Sequence, residues 1–284
     1  MLGYAAIIVA SVLWSLSPAL ISKYRGVVKP ITFTGLKALI ASLTVFSVLL
    51  HQSINLEVLG SGILFLIISS ALIGPGVGDI CFVKSIKILG GFIAVVLSYT
   101  YIFVAQAIAV IFLNEFMKIS LVLGAVLAFS GVVLVAGSDS TYLRVDRVGV
   151  AYAVLASISW GVSTALIKVA LRFVNEIVLT LLRLITIFVV FLPLGLVVEG
   201  LPTKGSLKQL LAVVSAVAIL DWSLGMYFFI YSISSIGVSA TVVATALTPT
   251  LTTVTTRSIA GEKPSVKHFL GVLMTSVGIF ITVF

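Results

Sequence analysis

The chain has few charged residues, and this shortage decides its class. Of its 284 residues only 9% are charged, whereas 61% are hydrophobic. A soluble domain has about 25% charged and about 45–50% apolar residues, so the composition excludes a soluble globular fold. It predicts a protein of the lipid bilayer, whose hydrocarbon core is about 30 Å thick and needs roughly 20 apolar residues per helical crossing.

Residues and motifs that build common reactive sites are also scarce. The single cysteine, Cys81, excludes an internal disulfide and a cysteine metal cluster. The two histidines, His51 and His268, lie far apart in the sequence, and a metal site needs clustered ligands. There is no Walker-type phosphate loop and no HExxH or GxSxG motif. We therefore expect no cofactor, no metal, no ATP-driven pump and no enzyme.

Long apolar stretches dominate what is present, and the chain repeats itself. Ten stretches are long enough to cross a bilayer, near residues 3–23, 30–50, 59–81, 90–113, 119–137, 148–170, 176–198, 208–233, 237–259 and 266–284. The twelve residues ASVLWSLSPALI at 10–21 return as ASISWGVSTALI at 156–167, so that Trp14 matches Trp160 and Ser17 matches Ser163. The protein therefore contains two copies of one unit.

Five helices in each copy predict the relation between the copies. Because five is odd, the second copy would enter the membrane from the opposite side. We therefore predict an all-α membrane protein of ten transmembrane helices in two inverted repeats, residues 1–140 and residues 147–284. Secondary transporters commonly have inverted repeats, with the substrate site between the repeats near mid-membrane.

The net charge of +8 predicts orientation rather than nucleic-acid binding, because no loop combines a basic face with interleaved aromatic residues. Twelve Lys and Arg residues lie in the odd-numbered connections, and only Lys118, Lys168 and Arg172 lie in the even-numbered ones. Basic connections usually stay in the cytoplasm. This distribution favours a multi-pass protein of the plasma membrane with both termini outside.

Aligned hydroxyl groups mark the fourth and ninth apolar stretches. Thr241, Thr245, Thr248, Thr252 and Thr255 recur at spacings of four and three, on one helical face. Ser98 and Tyr101 of the fourth stretch match Thr245 and Thr248 in the repeat, and Tyr227 adds a hydroxyl to the eighth stretch. These side chains either hydrogen-bond between closely packed helices or line a substrate cavity.

Two further features lie near the middle of predicted helices. Trp14 and Trp160 are away from the interfacial position usual for tryptophan, and they either pack in the core or form apolar walls for a ligand. Residues 74–79 read GPGVGD, which predicts a bend or an unwound turn in the third helix, a common mark of a transporter site. In the eighth stretch only Gly225 corresponds to this break.

Lys37, Asp79, Arg183 and Asp221 fall inside predicted helices, where charges are costly and face protein or a wet cavity. Lys37 and Arg183 match in the repeat, whereas the two aspartates do not. One reading is structural, with Lys37 paired to Asp79 and Arg183 paired to Asp221. Another reading is functional, with Arg183 receiving an anionic group and Asp221 binding an amine or carrying a proton as the coupling ion. Glu115 and Glu262, at helix ends, are expected to form interfacial ion pairs or to cap helices.

These features together resemble the drug/metabolite transporter superfamily, and in particular its EamA-type ten-helix members. The resemblance rests on VLWS and ISWG near the start of each half, on the basic residue early in each second helix, and on Gly261-Glu262 followed by Leu270-Gly271. It departs at Asn114-Glu115, where the family has Gly-Glu, and at Lys37, where arginine is usual. The family usually has cytoplasmic termini, against the loop charge.

The resemblance implies a central cavity and substrates such as amino acids, other metabolites or amphiphilic compounds. We therefore predict a carrier that moves a small organic solute by alternating access. Its substrate-binding residues would be Trp14, Ser98, Tyr101, Trp160, Arg183, Asp221, Tyr227, Thr245 and Thr248, with Lys37 and Asp79 in structural or coupling roles. The alternative is a lipid-handling protein, a scramblase or lipid carrier, because few polar groups are present to hold a very polar solute.

Overall fold

The structure is a computed structural model that describes residues 2–50, 60–114, 119–136, 146–202, 204–263 and 266–281. The first half of the chain contains α1 (Leu2–Lys23), α2 (Pro30–Leu49), α3 (Ser61–Ala71), π1 (Leu72–Gly78), α4 (Asp79–Leu89), α5 (Gly91–Ser98), α6 (Tyr101–Leu113) and α7 (Ile119–Ala136). The second half contains α8 (Arg147–Ala170), α9 (Glu176–Val198), α10 (Lys204–Val217), π2 (Ala218–Gly225), α11 (Met226–Ile236), α12 (Val238–Ala244), α13 (Leu247–Thr255), π3 (Thr256–Ala260) and α14 (Val266–Ile281). The two halves thus present nearly the same order of elements.

Eight helical stretches within the described residues are long and apolar enough to span a membrane. Two of them are composite, because α3, π1 and α4 run on as Ser61–Leu89 and because α10, π2 and α11 form Ser206–Ile236. The last helices of the two halves, α7 and α14, pack against each other. These two helices lie in the remaining predicted stretches, so ten crossings and the inversion of the halves stay predictions.

Sharp turns fall at matching places in the two halves. Gly90, between α4 and α5, has φ of 86°, and Gly237, between α11 and α12, has φ of 85°. Asn114 after α6 and Gly261 after π3 have φ of 56° and 71°. Glycine and asparagine are the residues that tolerate this left-handed conformation at a helix end, which explains why Asn114 can replace glycine here.

Both composite helices contain a π-helix, whereas the sequence predicted a bend or an unwound turn in the first and only a single corresponding glycine, Gly225, in the second. The π1 helix coincides with the glycine- and proline-rich break predicted at residues 74–79, but the chain stays helical there instead of unwinding. The π2 helix lies at the corresponding place in the second half and contains no proline. Because π-helical turns often mark functional sites, their occurrence in both halves draws attention to the residues that follow them.

Carboxylates from the second half cap helices of the first half. Glu199 accepts hydrogen bonds from the backbone N–H groups of Ile31 and Thr32, both at 2.9 Å, at the start of α2. Glu262 accepts from the N–H groups at the start of α5, at 2.7 Å and 3.0 Å, and from the hydroxyl of Ser22. Glu262 is therefore a helix cap, one of its two predicted roles, while Glu115 lies outside the described residues. These caps satisfy N–H groups that a helix leaves unpaired.

Candidate functional site

A cavity lies where residues of the two halves meet. About 110 Å³ of it can hold the centre of a water-sized molecule, which is several times the space that one buried water needs. The charged residues, serines and threonines that line it are Ser17, Asp79, Ser163, Thr164, Arg183 and Asp221. Its aromatic lining residues are Trp14, Phe82, Tyr99, Tyr101, Trp160, Trp222 and Phe229. Such a mainly apolar wall with a few polar groups is typical of sites for small organic ligands.

A charged cluster spans the boundary between the halves at this cavity. The Nζ atom of Lys37, on α2, lies 2.7 Å from Oδ2 of Asp79 and 3.5 Å from Oδ2 of Asp221. Asp79 begins α4 directly after π1, whereas Asp221 belongs to π2 of the other half. The Lys37 ammonium also lies 3.8 Å from the centre of the Trp222 ring, at cation–π distance. The predicted pair of Lys37 with Asp79 is therefore present, and Lys37 also pairs with Asp221.

The predicted pair of Arg183 with Asp221 is not formed. The guanidinium of Arg183 donates instead to the hydroxyl groups of Ser70 at 2.7 Å and Ser163 at 3.2 Å. Its Nε has no hydrogen-bond partner among the described residues, and the residue is only 2% exposed. Asp221 accepts a hydrogen bond of 3.1 Å from Ser17 and is drawn to Lys37. The predicted pair fails because Asp221 is held by Ser17 and Lys37 of the first half, whereas Arg183 is bound to Ser70 of the first half and to Ser163 of its own.

Ser17 and Ser163, which match in the repeat, each hydrogen-bond to the opposite half near the charged residues. Ser17 of the first half donates to Asp221 of the second, and Ser163 of the second half accepts a bond from Arg183 and donates to the backbone oxygen of Ser70, at 2.7 Å. Their place in the repeat was visible in the sequence, but neither was included among the predicted site residues. Their matched positions, each three residues after a matched tryptophan, are the signal that would have found them.

The two matched tryptophans form corresponding contacts between the halves. The indole N–H of Trp14 donates to the backbone oxygen of Asp221 at 3.0 Å, and that of Trp160 donates to Oδ1 of Asp79 at 2.9 Å. Each ring packs over the glycine that ends the π-helix of the other half. A Cβ at Gly78 would lie 2.8 Å from Trp160, and a Cβ at Gly225 would overlap Trp14. The two tryptophans therefore line the cavity and also donate hydrogen bonds to the opposite half, whereas the sequence predicted an apolar role alone.

The predicted hydroxyl groups are only partly gathered at the cavity. Tyr101 lines it, and its hydroxyl lies 2.8 Å from that of Thr245. Ser98, Thr245 and Thr248 are fully buried but do not line the cavity. Tyr227 is partly buried, contacts the Phe228 ring at a tilt and stacks on Tyr231, also away from the cavity lining. Thr245 thus supports a lining residue, and the other three have no direct contact with the cavity.

Trp222 is the main lining residue that the sequence analysis missed. Its indole N–H donates to Oδ2 of Asp79 at 3.2 Å while its ring covers Lys37. Asp79 therefore accepts hydrogen bonds from a lysine of its own half and from two tryptophans of the other half. The adjacency of Trp222 to Asp221 was the available signal, but the direction in which the side chain points depends on the winding of π2, which the sequence does not reveal.

Comparison with known proteins identifies relatives of the whole chain. The family model described as the EamA-like transporter family matches residues 1–137 and again residues 147–284. A solved crystal structure of a protein has a similar fold, with a TM-score of 0.75 and 17% sequence identity over 98% of this chain and 95% of that chain. At this identity the likeness concerns the fold alone. No curated protein matches the chain.

Proposed function

The chain belongs to the EamA-like transporter family, and from this premise we propose that it carries a small organic solute across a membrane by alternating access. The proposed substrate class is a metabolite such as an amino acid or a similar amphiphilic compound. The proposed architecture is ten transmembrane helices in two inverted halves, residues 1–140 and 147–284. Two such halves can open a shared site to either side of the membrane in turn.

One observation carries the proposal. Both halves contribute apolar and polar residues to one cavity, and an ion pair at this cavity connects the two halves. Lys37 of the first half is paired with Asp221 of the second, next to Trp14 and Trp160, which each contact the opposite half. A movement of one half against the other must rearrange these contacts. Such a movement would therefore change the environment of a solute bound among them.

The lining residues receive the following roles in this proposal. Trp14 and Trp160 form walls, Tyr101 offers a hydroxyl held by Thr245, and Arg183 and Asp221 meet charged or polar groups of the solute. Lys37 and Ser17 hold Asp221 in place, and Asp79 in turn holds Lys37. Asp221 is also the group proposed to carry a proton where transport is proton-coupled, because it lines the cavity and its ion pair with Lys37 is the longer of the two.

A binding screen followed by counterflow would test the function. The purified protein is heated with amino acids, sugar phosphates, nucleotide-sugars, polyamines or lipids, and a ligand specific for the folded state raises stability by about 2.7 kcal/mol at 100 times its dissociation constant. Any soluble compound that binds is then used in proteoliposomes, where a carrier gives saturable uptake accelerated by the same compound inside.

Matched variants make the transport assay specific. Asp221→Asn should abolish counterflow or its pH dependence, whereas Asp146→Asn should retain both, because Asp146 only caps α8 at the surface and asparagine caps equally well. Unchanged counterflow and pH dependence in Asp221→Asn would contradict the assigned role. Transfer of labelled lipid by vesicles that contain the protein and no solute would favour the lipid-handling function instead.

A further inference from the structure

Three exposed cations lie together beside the turn that follows π3. In this turn the backbone N–H of Glu262 donates to the carbonyl oxygen of Thr256 at 3.3 Å, and the Glu262 carboxylate accepts from the hydroxyl of Ser22, in the last turn of α1. The residues that directly follow these three in the chain are all basic: Lys23, Arg257 and Lys263. The two hydrogen bonds therefore bring these cations, the basic cluster, close to one another.

The protein does not neutralise the charges of the basic cluster. All three side chains are exposed, and within the part of the chain that the structure describes none of them forms an ion pair or a hydrogen bond. The Lys23 ammonium lies 5.7 Å from the centre of the neighbouring Tyr24 ring. Glu262, the only acidic residue of the segment TRSIAGEK, points instead to the N–H groups at the start of α5. One carboxylate beside three cations leaves an excess of positive charge.

The basic cluster lies at the depth of lipid headgroups. Lys23 ends the apolar stretch Leu2–Lys23, and the other two cations lie at the end of the apolar stretch Val238–Ala260, both of which are long enough to cross a bilayer. The ends of such stretches reach the boundary between hydrocarbon and water, where the phosphate groups of phospholipids are found. Clustered lysine and arginine side chains at this boundary attract anionic headgroups.

An apolar surface continues from the basic cluster into the hydrocarbon region. The short connection after π3 makes α13 and α14 antiparallel, and the hydroxyl groups of Thr250 and Ser276 lie 2.6 Å apart between them. The exposed apolar residues on these two helices below the basic cluster include Val254, Phe269 and Leu273. Counted from the hydroxyl contact, Phe269 is near the level of Arg257. A phospholipid with its headgroup at the basic cluster can therefore lay an acyl chain along α13 and α14, which a free phosphate cannot do.

We propose that the basic cluster binds the headgroup of an anionic phospholipid whose acyl chain packs on the exposed face of α13 and α14. None of the three cations lines the cavity between the halves, so this site is separate from the proposed transport site and does not depend on the proposed function. Lys23 belongs to the first half, whereas Arg257 and Lys263 belong to the second. A headgroup phosphate that contacts all three joins the end of α1 to the second half, next to the Glu262 cap on α5.

Lipid binding to the purified full-length protein in detergent tests this site. Native mass spectrometry during a titration measures the affinities for phosphatidylglycerol, for phosphatidylcholine with the same acyl chains, and for glycerol phosphate, which has the headgroup without the chains. Each lysine or arginine near an anionic lipid strengthens binding by roughly fivefold. We therefore expect phosphatidylglycerol to bind at least about tenfold more tightly than the other two, and Arg257→Gln/Lys263→Gln to lose roughly twentyfold in this affinity.

Two matched double variants serve as controls. Arg147→Gln/Lys208→Gln removes two exposed cations at the starts of α8 and α10 and should leave phosphatidylglycerol affinity nearly unchanged. Arg257→Lys/Lys263→Arg retains both charges and should bind like the unaltered protein, which separates charge from packing. Because these side chains are exposed, we expect all the variants to fold, and their Tm values without lipid check this.

Several outcomes would overturn the proposal. An equal loss of affinity in both glutamine double variants would show that net charge rather than the basic cluster attracts the lipid. Equal affinity for phosphatidylcholine would remove the ionic contact, and equal affinity for glycerol phosphate would replace the lipid by a free phosphate. Since no transport is measured, each of these results would leave the proposed function standing, and loss of counterflow would leave the lipid site standing.

Discussion

Replacing Asp79 by asparagine should destabilise the protein much more than the same replacement at Asp221. Asp79 accepts hydrogen bonds from Lys37 at 2.7 Å, Trp160 at 2.9 Å and Trp222 at 3.2 Å, so both carboxylate oxygens are engaged. An asparagine has one oxygen and one NH₂ group, and in either orientation the NH₂ group faces an N–H donor. One or two bonds to a charged acceptor are lost, at about 1.5–3 kcal/mol each.

The ion pair adds to this difference. Breaking a buried pair costs about 3–5 kcal/mol, and in Asp79→Asn the buried Lys37 retains only its longer contact to Asp221. In Asp221→Asn, Lys37 keeps its 2.7 Å partner, and the Ser17 hydroxyl can rotate to serve either end of the amide. We therefore expect a loss of about 3–5 kcal/mol for Asp79→Asn and about 1 kcal/mol for Asp221→Asn.

Thermal unfolding of both variants in the same detergent measures the difference. A change of 1 kcal/mol shifts the Tm by roughly 2–4 °C for chains of 150–250 residues, so the Tm of Asp79→Asn should lie at least about 5 °C below that of Asp221→Asn. Asp146→Asn serves as the control for the substitution itself. Equal Tm values for the two variants, or a lower one for Asp221→Asn, would refute the reasoning from hydrogen-bond geometry.

Three further predictions concern packing, capping and orientation. Gly35→Ala would place a Cβ against the backbone of α9 and should lower the Tm by several degrees, whereas Gly26→Ala, with open space around it, should not. Glu262→Gln should lower stability by about 1–2 kcal/mol in denaturant or thermal unfolding, because a neutral amide oxygen caps the start of α5 less well than a carboxylate. Loop charge predicts that a membrane-impermeant maleimide added to intact cells labels Arg172→Cys but not Arg25→Cys, and the reverse result would place the termini in the cytoplasm.

The sequence was sufficient to predict what depends on composition and repetition. An apolar helical chain, its family and the matched positions of Trp14 and Trp160 all follow from the residues alone, and the structure places both tryptophans at one cavity. Lys37 and Asp79 were also paired correctly, because few partners exist for a charge inside a membrane protein.

What the sequence could not predict is the direction in which side chains point after the helix breaks. The π2 helix has no proline from which it could be predicted. Unless the π-helix is known, the angular positions of Asp221 and Trp222 cannot be derived. Arg183 was therefore paired with the wrong partner, and Trp222 was not considered. Thr241, Thr245, Thr248 and Thr252 are all buried, but the helix is interrupted between α12 and α13, and neither Thr248 nor Ser98 of α5 lines the cavity.

The π1 and π2 helices make the cavity depend on how the chain is wound as well as on residue identity. A π-helical turn closes with a hydrogen bond one residue longer than that of an α-helix, and each residue of an α-helix advances by about 100°. Restoring α-helical winding over Leu72–Gly78 without removing a residue would turn Asp79 by about this angle relative to α3, whereas removing one residue at the same time would return Asp79 to nearly its present angle. A change that favours α-helical winding in either segment would thus disperse the charged cluster while the residues that form it are retained, and loss of a single codon from the same segment would compensate for it.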